Sequence, residues 1–65
     1  MELRVNGERK DSDAESLLEM ISSMGLEPKR VAVELNGNIV PRAEFGKIKL
    51  KDGDSLEIVH FVGGG

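Results

Sequence analysis

The residues best placed to do chemistry are the last three, Gly63-Gly64-Gly65. Read as a free C-terminus, Gly65 offers a carboxylate, which is ionised at neutral pH and is a poor electrophile. It becomes an acyl donor only when one oxygen is converted into a good leaving group, such as the adenylate made from ATP. Glycine suits that use. Without Cβ atoms the carbonyl is open to attack on both faces, and an extended segment of roughly 10 Å passes through a channel too narrow for side chains. The chain has no GxxxxGK[ST] loop and no acidic cluster with metal-site spacing. Activation is therefore expected from a partner enzyme that uses ATP, with this chain as its substrate and no cofactor or metal of its own. Phe61 to Gly65 carry no side-chain charge, which fits a segment entering a site that already holds a nucleotide triphosphate.

The other reactive residue types offer little. Among 65 residues there is no cysteine, which excludes disulfides, thiolate metal sites and a catalytic thiol. Any sulfur handled here must ride on a modified group. His60 is the single histidine, and it reads as a structural or rim residue. Asp52 and Asp54 flank Gly53 as a turn rather than a metal site. Lys47, Lys49 and Lys51 alternate like the wet face of a strand. With a net charge of −3 and only Phe45 and Phe61 aromatic, a nucleic-acid site built on stacking is not expected. No apolar run approaches the ~20 residues of a membrane span, and Met1-Glu2-Leu3-Arg4-Val5 lacks a secretory apolar stretch. The expected setting is cytoplasmic, away from membranes.

These groups need a scaffold. Met1, Leu3 and Val5 alternate with charged residues as a half-buried strand, and Asn6-Gly7 is a strong hairpin signal leading to a polar return strand at Glu8-Arg9-Lys10. Ser12-Asp13-Ala14-Glu15 reads as a capping box. Ala14, Leu17, Leu18 and Ile21 then mark the buried face of one helix, about residues 13–24, with Met24 extending that face and Met20 off it. Gly25 and Pro28 end it. Val31, Val33 and Leu35 point inward from a third strand. Asn36-Gly37 turns into a brief strand, Asn38-Ile39-Val40, which Pro41 closes. Phe45, Ile48 and Leu50 plug the open end of the sheet, residues 51–54 turn, and Ser55–Val62 is the longest strand.

The fold expected from this order is α+β: a β-grasp with a mixed sheet of four to five strands packed on one helix. If the first and last strands are central neighbours, they run parallel. Residues 1–62 form a single domain and 63–65 a flexible glycine tail. With Leu56 and Ile58 facing the helix, Val59 and Phe61 fall on the outer face beside the tail, as a partner-docking patch. Arg42 is a further candidate for partner contact.

Asn36-Gly37-Asn38-Ile39-Val40-Pro41-Arg42, Asp52-Gly53-Asp54-Ser55-Leu56-Glu57-Ile58-Val59 and the terminal Gly64-Gly65 together resemble the thiamine-biosynthesis sulfur carrier family (ThiS), which has the ubiquitin-like β-grasp fold. The likeness covers nearly the whole chain. Phe45 stands where the family often has Trp, and Gly63 is extra. The resemblance implies that a ThiF-like adenylating enzyme activates Gly65, with Gly63 and Gly64 threading its site. A persulfide sulfur donor then converts the acyl-adenylate into a thiocarboxylate, and thiazole synthase (ThiG-like) accepts the sulfur. It implies a carrier rather than an enzyme. The free chain is expected to be a monomer. The small subunit of molybdopterin synthase and ubiquitin-like protein modifiers share the fold and the activated terminus, and remain alternatives at this point.

Overall fold

The computed structural model describes residues 1–62. Five strands form one sheet: β1 (Glu2–Val5), β2 (Glu8–Asp11), β3 (Val31–Leu35), β4 (Asn38–Val40) and β5 (Ser55–His60), in the order β2-β1-β5-β3-β4. Among the described residues one α-helix, α1 (Leu17–Ser23), connects β2 to β3. The central pair β1–β5 is parallel and the other three pairs are antiparallel. This is the expected mixed sheet on one helix. Among the described residues no helix is long and apolar enough to cross a membrane.

Both tight hairpins follow from their turn residues. Asn6 and Asn36 have φ of 52° and 50°, and Gly7 and Gly37 have 84° and 87°. Two successive left-handed residues make the turn whose twist matches that of the strands, and Asn-Gly reaches it at least cost. Each asparagine then does a second job. Asn6 Oδ1 accepts the Ile58 N–H at 2.7 Å, and its Nδ2 donates to the Ile58 carbonyl at 3.1 Å. The side-chain amide thus continues the β1–β5 ladder one step beyond the end of β1. Asn36 Oδ1 accepts the Ser55 N–H at 2.9 Å, and its Nδ2 donates to Asp54 Oδ1 at 3.0 Å. One asparagine clamps the start of β5 and the other its middle.

The core lies between the sheet and α1. Leu3, Val5, Val31, Val33, Leu56 and Ile58 enter it from the strands, and Phe45 and Leu50 close its open end. Met1, expected to face inward, is 37% exposed, because the strand begins only at Glu2.

The helix departs from expectation at its start. It begins at Leu17, not near residue 13, and its N-cap is Ser16, whose hydroxyl accepts the Glu19 N–H at 3.1 Å. Ser12 instead forms a local turn, accepting the Ala14 N–H. The sequence holds two Ser-x-x-Glu frames, Ser12–Glu15 and Ser16–Glu19, and a tertiary contact selects the second. Ser16 bridges to Lys49, the Leu17 N–H donates to the Ile48 carbonyl, and the Leu18 N–H donates to the Phe45 carbonyl. These bonds hold residues before Leu17 out of the helix. The later start turns the buried face as well. Met20 is fully buried and Leu18 is 38% exposed, so the apolar stripe is Leu17, Met20, Ile21 and half-buried Met24. Ser16→Ala is expected to cost about 1 kcal/mol, the usual worth of an N-cap, and Ser12→Ala clearly less. Urea midpoints of the two variants check this order, which the capping box at Ser12 would reverse.

Candidate functional site

β5 carries the chain from the middle of the sheet to its rim. Period-2 alternation sends Leu56 and Ile58 into the core and Val59 to the outer face. Val59, Phe61 and Val62 are 56%, 58% and 76% exposed. Three bulky apolar side chains thus stand uncovered where the chain leaves the sheet.

Two anchors fix this exit, and both use the short 3₁₀ turn Pro28–Arg30 ahead of β3. The Phe61 N–H donates to the Arg30 carbonyl at 2.7 Å, one step past the last β3–β5 register pair, Val31–His60. Arg42 Nη1 donates to the adjacent Lys29 carbonyl at 2.9 Å. Arg42 begins a second 3₁₀ turn, Arg42–Glu44, after Pro41. The two site candidates distant in sequence, Arg42 and Phe61, therefore meet on neighbouring carbonyls. Arg42 positions the rim of the exit, and its side chain remains largely in solvent. Arg30 is itself paired with Glu27 at 3.0 Å. His60 is exposed, opposite Val31. Gly63, Gly64 and Gly65 lie outside the described residues.

Sequence reasoning missed Ile39. It is 78% exposed on the outer face and is the register partner of Glu34. Its signal was the adjacent apolar pair Ile39-Val40, since successive residues of a strand face opposite sides and one of the two must lie outward. The interior offers no alternative chemistry among the described residues: no polar or charged residue is buried, and no group of three or more His, Cys, Asp or Glu side chains converges as for a metal. An open surface depression of about 450 Å³ lies by Asn36, Lys47, Ile48 and Lys51. It adjoins the β3–β4 turn, at the end of β3 opposite the exit.

Comparison with known proteins agrees with this geometry. The ThiS family model matches residues 2–65. The sulfur carrier protein ThiS of Bacillus subtilis is 38% identical over 65 residues, which cover 97% of this chain and 98% of that protein. The crystal structure of a thiamine biosynthesis protein (ThiS) from Geobacter metallireducens superposes with a TM-score of 0.82 at 39% identity, covering all of both chains. A thiazole synthase of Paramagnetospirillum magneticum is 41% identical over 66 residues. All of this chain is matched there, but it spans only 20% of that protein's length.

Proposed function

The chain belongs to the ThiS family, and from that premise we propose that it carries sulfur for thiamine biosynthesis as a thiocarboxylate on Gly65. A carboxylate oxygen of Gly65 attacks the α-phosphorus of ATP in the active site of an adenylating enzyme, and pyrophosphate leaves. The terminal sulfur of a persulfide donor attacks the acyl carbon and AMP leaves, giving an acyl disulfide. A thiol then reduces the S–S bond, leaving the thiocarboxylate on Gly65 and a disulfide on the donor side. Thiazole synthase receives the sulfur. The chain itself contributes an acyl group, a narrow glycine segment and a docking face, and it acts as substrate rather than catalyst. The cycle needs ATP and a persulfide donor, which the cytoplasm supplies.

What supports this reading most is the exit geometry. The central strand ends at the rim, pinned by Phe61 on Arg30, beside uncovered apolar side chains, and three glycines follow in sequence. Val59, Phe61 and Arg42 are the residues proposed to meet the partners, with Gly63 and Gly64 threading the site.

Intact mass spectrometry after incubation with ATP, the adenylating enzyme and a persulfide donor tests the proposal. The expected product gains the mass difference of one oxygen replaced by sulfur, located at Gly65 by fragmentation. An unchanged mass, or covalent adducts joined to lysines in place of the thiocarboxylate, would overturn it.

A further inference from the structure

The outer sheet face carries a charge arrangement that the chain does not resolve by itself. Glu34 on β3 and Glu57 on β5 are register partners. Both are exposed, while Val33, Leu56 and Ile58 beside them point into the core. Directly opposed residues of an antiparallel pair hold their Cβ atoms about 5 Å apart, and like charges there repel. The ion pairs among the described residues are Arg9–Glu2, Arg30–Glu27 and Lys47–Glu44, and none involves Glu34 or Glu57.

Toward β4 and the exit the surroundings of this pair are apolar. Arg4 on β1 shares the outer face at the register of Ser55 but is turned to the Gly7 carbonyl, to which it donates at 3.3 Å, and forms no ion pair with either carboxylate. Ile39 flanks Glu34 from β4, and Val59 lies two residues beyond Glu57, opposite Ala32. These residues line an open depression of about 120 Å³. A protein surface that rests on Ile39 and Val59 together must pass over Glu34, because β3 lies between β4 and β5. Such a surface strips water from two carboxylates that already repel each other, which is strongly unfavourable unless it supplies a positive charge. A guanidinium meets the requirement best. Its planar fork reaches two carboxylates, it is weakly hydrated, and its flat faces tolerate apolar contact.

We propose that thiazole synthase docks on this face and inserts an arginine between Glu34 and Glu57, with Ile39 and Val59 on either side. This rests on the sulfur-carrier reading above. The choice of partner follows from the Paramagnetospirillum magneticum thiazole synthase, which carries a region matching this whole chain.

Titration calorimetry of the full chain with purified thiazole synthase tests it, using Glu34→Gln and Glu57→Gln. Each variant is expected to bind roughly tenfold more weakly and with a shallower salt dependence, as for a lost charge pair across an interface. Neither should lose stability. Relief of the repulsion is expected to hold or raise the melting temperature, by about 2 °C. That combination separates a binding role from a structural one. Val59→Asp serves as the control for the face itself, and Gly65 thiocarboxylate formation on the parent chain is measured alongside. If the parent forms the thiocarboxylate and both Gln variants bind like the parent, the arginine site is overturned and the carrier reading stands. Undiminished binding by Val59→Asp overturns the docking face. If the parent forms no thiocarboxylate, the carrier reading falls and this inference falls with it.

Discussion

A chain carrying Gly64→Val is expected to melt like the parent while forming at least about 100-fold less thiocarboxylate at Gly65. The magnitude follows from positioning: displacing a reacting group by about 1 Å from its attack geometry costs on the order of 100-fold. Valine adds a branched side chain beside the acyl group, in a segment proposed to thread a narrow channel. It also restricts the backbone that glycine leaves free. The core ends in sequence at Ile58, so melting reports on the domain and acyl transfer on the glycines. Single-turnover adenylation followed by intact mass, compared with thermal unfolding of the same preparation, makes the measurement. Transfer at the parental rate would remove the glycine segment from the mechanism.

The largest effect on stability is expected at Phe45. It is 2% exposed and is the one aromatic residue in the core. Its backbone carbonyl also accepts the Leu18 N–H at 3.0 Å, so the plug and the first turn of α1 are joined. Truncating a buried Phe to Ala costs about 3–5 kcal/mol. A domain of 65 residues has roughly 3–10 kcal/mol in total at about 0.05–0.15 kcal/mol per residue. Phe45→Ala is therefore expected to leave much of the protein unfolded at 37 °C, whereas Phe45→Leu, which keeps most of the volume, costs about 1.5 kcal/mol or less. Denaturant unfolding followed by far-UV circular dichroism checks both. A parental midpoint for Phe45→Ala would show that the open end of the sheet needs no plug.

Features encoded within a few residues were legible in the sequence. Both Asn-Gly turns and the inward faces of β3 and β5 follow from local rules, and so does the outward placement of Val59. The helix start was not legible locally, because two capping frames four residues apart compete on equal terms. The bond from Leu17 to the Ile48 carbonyl decides between them, and nothing near residue 17 announces it. Reading the wrong frame exchanged Leu18 for Met20 on the buried face. The Asn6 clamp on Ile58, 52 residues away, is equally invisible, since the same asparagine is fully explained by its turn. The opposition of Glu34 and Glu57 depends on strand register, which the alternation of each strand leaves open. At the candidate site, the sequence marked Phe61 and Arg42 separately. That both settle on one 3₁₀ turn is a property of the fold.

The position of β5 has a consequence for synthesis. Among the described residues it is the last strand in sequence, yet it sits between the two hairpins, β1–β2 and β3–β4. Without it those hairpins share no strand, and an isolated two-stranded hairpin is at best marginal in water. A nascent or truncated chain lacking residues 55–60 thus has no sheet to assemble on and remains open to proteolysis. Only chains translated through β5 acquire a folded body, so folding of the sheet waits on the strand that leads into Phe61 and Val62.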